Sequence, residues 1–237
     1  MTEAVIFDID GTLLDSVDLH AQAWQEAFKH FGHDIPFDEI RAQIGKGGDQ
    51  LLPVFLSPEE LKEKGKSLEE FRGSVFKQNY LPKVRPFPYV RELFQKLKAN
   101  GQRIALASSA KPDELQTFKR IANIDDLVQV ETSSGDAERS KPHPDIFEAA
   151  LDRLRHVPRE EIIVVGDSPH DAEAARKAAL RTVGVLCGGF PEAALREAGC
   201  MAIYADPADL LRRYDDSPLA KRSLNRAAAN PGTERHN

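Results

Sequence analysis

Two cysteines in 237 residues are too few for a disulfide framework, and Cys187 and Cys200 lack metal-ligand spacing, so both are expected as free thiols in a reducing compartment. No apolar run approaches the roughly 20 residues needed to span a bilayer. The first strand pattern begins almost at once, with no signal-peptide pattern ahead of it, so a cytoplasmic protein is expected. Positive charge is not in excess: 32 Lys and Arg face 38 Asp and Glu, a formal net charge of −6. Neither nucleic acid nor an anionic membrane is therefore expected as a partner, and any bound phosphate must be met by local positive charge. No solenoid-type repeat is visible. With 41% apolar and 30% charged residues, the chain has the composition of a globular protein, sized for one large domain or a core with a modest insert.

What the chain does have stands near its front. The stretch Val5-Ile6-Phe7-Asp8-Ile9-Asp10-Gly11-Thr12-Leu13-Leu14-Asp15-Ser16 is an apolar run that ends in two aspartates two residues apart and a glycine turn. If the run is a buried strand, alternation points Asp8 and Asp10 to one side, where both reach one cation. Carboxylates buried so close together repel each other, which is costly without a neutralising metal. A polar strand end with acidic turn residues is the plainer reading of a lone D-x-D. The block D-x-D-G-T-L-x-D-S is far longer than a turn signal.

Ser16 can cap a helix running to about residue 31, with Asp18 in its first turn, Gly32 ending it and Pro36 preventing its resumption. From there to about residue 82 no strand pattern appears. Short helices over 38–44, 50–56 and 58–80, broken by Gly45-Lys46-Gly47-Gly48 and by Pro53, read as a charge-rich helical insert. Pro82-Lys83-Val84-Arg85-Pro86-Phe87-Pro88 is a stiff, extended return. Beyond it, helices over 90–99, 112–122, 145–155 and 169–179 alternate with short strands at 104–107, 127–130, 162–165 and 182–186. That alternation predicts an α/β fold with a parallel sheet and helices on both faces. The expected division is a core of 1–16 and 84–214, an all-helical insert of 17–83, and a tail of 215–237 too poor in apolar periodicity to fold alone.

Ligands of open parallel sheets bind beyond the carboxyl ends of the strands, so each strand end is a place to look. Ser108 and Ser109 follow Ile104-Ala105-Leu106-Ala107, where a hydroxyl and backbone N–H groups can hold phosphate oxygens, although Ser109 also reads as an ordinary turn residue. Lys141 lies in Ser140-Lys141-Pro142-His143-Pro144-Asp145, where a stiffened loop can hold a compact ammonium against phosphate and carboxylate; a solvated lysine before a helix is the alternative. Ile162-Ile163-Val164-Val165 leads into Gly166-Asp167-Ser168-Pro169-His170-Asp171. Asp167 at that tip has no structural purpose, whereas Asp171 also fits a helix start with Ser168 as N-cap and Pro169 at the first helical position. His20 and Trp24 share one helix face, where packing and a pocket wall are both open readings. Gly45-Lys46-Gly47-Gly48-Asp49 has no G-K-[ST] and is not a nucleotide loop; Lys46 in it is a candidate substrate contact, with a plain linker as the alternative.

Taken in chain order, these four blocks resemble the motifs of the haloacid dehalogenase superfamily, in particular the branch of phosphoglycolate phosphatases and β-phosphoglucomutases with a helical cap. The resemblance covers roughly residues 4–214 and implies a Rossmann-like, doubly wound parallel sheet with the insert as cap. It implies Asp8 as nucleophile and Asp10 as general acid/base. Phosphate would be held by Gly11, Ser108, Ser109 and Lys141. Mg2+ would be held by Asp8, the main-chain carbonyl of Asp10 and Asp167, with Asp171 in support. The implied partner is a small phosphorylated metabolite, and the chain a monomer or weak homodimer. A phosphosugar mutase shares every catalytic residue, but its relatives carry an arginine where this loop has glycines and Lys46. A 2-haloacid dehalogenase is disfavoured by Asp10. A non-catalytic binding or regulatory module on the same fold is the alternative from another class.

Overall fold

The computed structural model describes residues 2–220. The first apolar run forms β1 (Ala4–Phe7), and the two residues after the glycine turn form β2 (Leu14–Asp15), which pairs antiparallel with β3 (Arg85–Pro86). The remaining strands are β4 (Arg103–Ala107), β5 (Val130–Thr132), β6 (Ile162–Gly166), β7 (Arg181–Val185) and β8 (Ala202–Tyr204). Apart from the β2–β3 ribbon they form one parallel six-stranded sheet in the order β5-β4-β1-β6-β7-β8. This is the Rossmann-like arrangement expected from the alternation of strands and helices. β1 lies at the point where the chain, having built one side of the sheet, crosses to the other.

Strand alternation decides the two layers. Val5, Phe7, Ile104, Leu106, Ile163 and Val165 face one apolar cluster, filled by helices α6 (Val90–Ala99), α7 (Pro112–Ala122) and α11 (Pro207–Arg212). Ala4, Ile6, Ala105, Ala107, Ile162 and Val164 face the other, filled by α8 (Asp145–Arg153) and α9 (Pro169–Lys177). Smaller residues on this second face let its helices approach closely. Each fully buried leucine or isoleucine contributes about 1.5–3 kcal/mol to the layers.

Between β2 and β3 the chain is helical: α1 (Val17–His30), α2 (Phe37–Arg41), α3 (Gly48–Phe55), and a continuous run of α4 (Pro58–Glu60), a π-helical turn Leu61–Gly65, α5 (Lys66–Val75) and a second π-helical turn Phe76–Tyr80. These helices have a cluster of their own, including Trp24, Phe28, Ile40, Leu51, Leu52 and Leu68. Leaving and re-entering through the paired β2 and β3 fixes both ends of the excursion. Phe87 N–H also donates to Leu13 O at 2.9 Å.

Several expectations are corrected. Ser16 occupies the N-cap position of α1 but makes no side-chain cap bond; its hydroxyl is engaged by Asp10 instead. Pro53 does not break α3 but lies inside it. The strand expected over 127–130 begins only at Val130, because Leu127 is buried in a turn, its N–H donating to Ile124 O. The expected tail starts too early: Leu219 is fully buried, its carbonyl accepts from Gln102 Nε2 at 2.7 Å, and Thr2 Oγ1 donates to Pro218 O at 2.8 Å. One leucine and two main-chain carbonyls do this, with no periodicity to see. The rest of that tail, 221–237, lies outside the described residues. β8, α10 (Glu192–Ala198) and α11 were not anticipated; each is short, and Leu195 is the single buried residue of α10.

Candidate active site

Register levels the strand tips. Phe7 stands opposite both Leu106 and Val165, so Asp8, Ser108 and Asp167 emerge side by side at the carboxyl edge. Lys141 enters from the loop before α8, with its side chain only 1% exposed. Its ammonium lies 2.5 Å from Asp8 Oδ1 and 2.7 Å from Asp171 Oδ1, and it donates to Ala107 O at 3.1 Å. Phe147 backs it, with the ring centre 5.5 Å away.

Asp171 serves two neighbours. With Ser168 it forms the reciprocal N-terminal box of α9: Ser168 Oγ accepts from Asp171 N–H, and Asp171 Oδ2 accepts from Ser168 N–H and Oγ–H. Its other oxygen is the one that meets Lys141. That oxygen accepts no hydrogen bond of normal geometry, so its charge is met by the ammonium alone. Asp171 therefore takes part both in the start of α9 and in the contact with Lys141.

Among the described residues, Asp8, Asp167 and Asp171 bring carboxylate oxygens within 4.8 Å of one another, all buried. Three carboxylates against one ammonium leave buried negative charge, and hard oxygen donors are what a divalent cation of the Mg2+ type binds. The residues fit such an ion. The backbone closes in on the same acid: at Gly11, with φ +83°, an added Cβ would stand 2.3 Å from Asp167 Oδ2, and at Gly188 it would stand 1.8 Å away. Thr12 Oγ1 lies 3.0 Å from Asp167 Oδ1 and 3.3 Å from Asp8 Oδ2, bridging the two acids.

Asp10 does not join this cluster through its carboxylate. Because β1 ends at Phe7, strand alternation does not extend to Asp10, and the side chain faces α1 instead. Asp10 Oδ1 accepts from Ser16 Oγ at 2.6 Å and lies 2.9 Å from His20 Nε2. The carboxylates that lie together are thus those of Asp8, Asp167 and Asp171, and not the two of D-x-D.

Environment separates the two aspartates further. Burial pushes Asp8 up to about 7, against the pull of Lys141 and with repulsion from Asp171 and Asp10 adding to the rise. Asp167 is raised well above the usual carboxylate range, first by burial and then by Asp171 and Asp8. Lys141 is raised as well: burial works against its charge, but Asp171 and Asp8 outweigh it, so the ammonium stays charged. Burial also opposes ionisation of Asp10, yet His20, Ser16 and Arg72 together hold its carboxyl below the ordinary value.

Above these groups lies a cavity of about 620 Å³, walled on the core side by Asp8, Asp10 and Ser109 and on the helical side by His20, Trp24, Lys46 and Arg72. Ser108 is fully buried beneath, its Oγ accepting from Ala110 N–H at 3.1 Å. Lys46 Nζ donates to Gln43 Oε1 at 2.5 Å, and burial lowers its pKa. Asp49 accepts from Ser140 N–H at 3.0 Å and ties its loop to the one carrying Lys141. Arg41 adds a second tie, donating to Gly188 O at 2.9 Å.

Sequence reasoning missed Thr12, Ser16 as a partner of Asp10, and Arg72. Thr12 stood inside the motif, a hydroxyl four residues after Asp8. Arg72 had no local signal beyond one arginine on an amphipathic helix. Both cysteines are free, and burial drives Cys200 up to about 12, so neither offers a ready thiolate.

Comparison with known proteins finds relatives along most of the chain. The family model described as haloacid dehalogenase-like hydrolase matches residues 5–185. A phosphorylated carbohydrates phosphatase of Thermotoga maritima is 31% identical over 205 residues, spanning 85% of this chain and 93% of that protein. A phosphoglycolate phosphatase of Nitrosospira multiformis is 29% identical, covering 85% and 90% respectively. Among solved structures, a hydrolase from Pseudomonas syringae superimposes with a TM-score of 0.83 at 28% identity, covering 91% of this chain and 99% of its own. No helix among the described residues is long and apolar enough to cross a membrane.

Proposed function

The chain belongs to the haloacid dehalogenase-like hydrolases, and on that premise we propose that it is a Mg2+-dependent phosphatase that hydrolyses small phosphorylated metabolites through an aspartyl-phosphate on Asp8. The observation that carries the reading is Asp8 itself: a strand-tip carboxylate opening into the cavity, oriented by Lys141 at 2.5 Å and bordered by the buried acids Asp167 and Asp171. Asp8, Asp167 and Asp171 supply the side-chain oxygens for the ion, with the main-chain carbonyl of Asp10 as the further ligand. Bound there, Mg2+ neutralises the carboxylates and the incoming phosphate.

In the first step an oxygen of Asp8 attacks phosphorus in line, and the bond from phosphorus to the leaving alkoxide breaks. Asp10 gives that alkoxide its proton. Ser16 and His20 both engage Oδ1, which leaves Oδ2 for the substrate. At rest Asp10 is an anion, so it gains its proton when a phosphate dianion arrives beside it and raises its proton affinity. In the second step Asp10, now a base, takes a proton from water; the water oxygen attacks phosphorus, and the Asp8–phosphorus bond breaks to release inorganic phosphate. Lys141 and the hydroxyl of Ser108, whose acceptor side is already taken by Ala110 N–H, hold the transferring oxygens. Gly11 keeps the backbone close enough to carry this geometry.

The helices of 17–83 act as the cap, which excludes water and selects the substrate. Their separate apolar cluster supports treating them as a unit, and the Asp49–Ser140 and Arg41–Gly188 bonds are the seams along which it would part.

The test is hydrolysis of an aryl phosphate with and without Mg2+, combined with acid quenching and intact-mass measurement. Wild-type protein should gain the mass of one phosphoryl group, and Asp8→Asn should lose both that gain and turnover, by roughly a thousandfold or more. Wild-type rates in the variant would overturn the covalent route. Offering β-glucose 1-phosphate with a trace of bisphosphate separates the mutase alternative: isomerisation outrunning phosphate release would replace the hydrolase reading.

A further inference from the structure

Asp167 is enclosed by two stretches of backbone. Gly11 stands on one side, and Gly188 comes so near on another that an added Cβ would lie 1.8 Å from Asp167 Oδ2. Main-chain atoms this close restrict the rotamers the carboxylate can adopt. The Gly188 stretch is a turn after β7, from Leu186 to Gly189, closed by Gly189 N–H on Leu186 O at 2.9 Å. Leu186 N–H anchors the base of the turn to Tyr204 O at 3.0 Å. Cys187 Sγ donates to Gly11 O at 3.2 Å and so joins the two stretches to each other.

The tip of that turn is held from outside the core. Arg41, which ends α2 in the insert, donates from Nη2 to Gly188 O at 2.9 Å and from Nε to Asp18 Oδ1 at 2.6 Å. The guanidinium is rigid and planar, so a carboxylate fixed at one edge sets the direction of the N–H groups on the other. The next glycine makes room for it: at Gly189, with φ +85°, an added Cβ would stand 2.3 Å from Arg41 Nη2. A side chain at Gly188 would displace Asp167, and one at Gly189 would displace Arg41. The two glycines are a thin partition between a carboxylate of the buried acid cluster and a guanidinium of the insert.

We propose that Arg41 is a positioning residue for Asp167: by gripping the Gly188 carbonyl it holds the turn against the carboxylate, so that seating the insert on the core tightens the site for a divalent cation. This rests on the reading of Asp167 as a Mg2+ ligand. A bare charge effect would run the other way. Removing a cation from the neighbourhood of the acids would favour the uptake of another cation, whereas losing the hold on Gly188 disfavours it. The sign of the change therefore separates position from charge.

The test is titration calorimetry of the full chain with Mg2+ alone, in which Asp167→Asn locates the site by the heat it removes. Arg41→Gln should raise the Mg2+ dissociation constant on the order of tenfold, while the chelated variant melts within about 4 °C of wild type. Arg41→Lys keeps a donor for Gly188 O but cannot reach Asp18 with the same fork, and should recover part of the loss. Asp49→Ala opens the other bond between insert and core and touches neither glycine, so it should shift the constant by less than about threefold. Amide hydrogen exchange in the Leu186–Gly189 turn should quicken in Arg41→Gln and not in Asp49→Ala. Unchanged or tighter Mg2+ binding in Arg41→Gln would overturn the proposal, as would an equal loss in Asp49→Ala, the mark of a merely loosened insert. Hydrolysis of an aryl phosphate is measured alongside. Wild-type protein that binds Mg2+ while Arg41→Gln is unshifted would sink this inference alone. Mg2+ binding with the Arg41 effect but no turnover would sink the phosphatase reading alone, and wild-type protein that takes up no Mg2+ would sink both.

Discussion

On the sheet side of the cavity Lys141 sits between Asp8 at 2.5 Å and Asp171 at 2.7 Å, whereas on the insert side the Arg72 guanidinium lies against Trp24 and Phe76 and, among the described residues, has no carboxylate in an ion pair. The sheet side is an interlocked set of opposite charges, in which moving one group unbalances the others. On the insert side the guanidinium is held by two aromatic faces and His20, and it acts on Asp10 from beyond contact. On the proposed function, a site divided in this way would perform one reaction on its floor and choose among substrates on its roof. Substitutions below should therefore affect every substrate, and substitutions above should discriminate among them.

Asp10 stands at the boundary, and its replacement tests the division most strongly. Asp10→Asn should lower kcat for alkyl phosphates by between about 100- and 10,000-fold. The loss should be much smaller for an aryl phosphate, whose leaving group needs less help from a proton. Steady-state rates on the two substrate types decide the matter, and equal losses would remove Asp10 from the acid role.

The next effect belongs to the floor alone. In metal-free protein Asp8 is raised from 3.8 to about 7 and Asp167 is raised as well, so the folded state binds more protons than the unfolded state across that interval. The sign follows: stability should fall as pH rises from about 4 through about 7, because ionising these acids in the fold costs more than ionising them in the open chain. Mg2+ relieves that cost, so the rise in Tm on adding Mg2+ should exceed the rise at pH 5 by on the order of 5 °C when measured at pH 8. A metal shift independent of pH in thermal melts with and without chelator would contradict the buried acid cluster.

The smallest effect separates the two duties of Asp171. Ser168→Ala removes the cap partner without changing any charge, and should cost about 0.5–2 kcal/mol in denaturant titrations while leaving the Mg2+ requirement unaltered. Asp171→Asn should instead raise the Mg2+ concentration needed for half-maximal rate. If Ser168→Ala alone shifts the metal requirement, helix start and metal site are not separable.

The same division governs what the sequence makes legible. Floor residues come in short local blocks whose chemistry shows within a few positions: D-x-D-G-T at the end of β1, S-K-P before α8, G-D-x-x-x-D after β6. Strand tips converge, so reading each tip is nearly reading the site. Arg72 owes its importance to the contact with His20, fifty-two positions away in sequence, and nothing in its local sequence announces that. Ser16 was read from its position before a helix, but a carboxylate at 2.6 Å competes successfully with backbone N–H groups for its hydroxyl. Alternation does not reach Asp8-Ile9-Asp10 because it applies only while the chain remains a strand, and β1 ends at Phe7. The edge elements β8 and α10 each bury a single residue, and α11 is only six residues long, so none shows a repeating pattern.

The contacts of Gln102 reach beyond local packing. Its side-chain amide donates to Thr2 O at 2.9 Å and to Leu219 O at 2.7 Å, and its carbonyl oxygen accepts from the Tyr214 hydroxyl. Thr2 precedes β1, and Gln102 precedes β4, so the clasp lies at the root of the sheet, at the far end of β1 from Asp8. The two ends of the described chain are thereby held within one hydrogen-bonded knot. Topologically the domain is close to a ring. A short bridge across Thr2 and Leu219 would complete that ring without moving a strand, and new termini opened in a surface loop elsewhere would leave the order of the sheet intact.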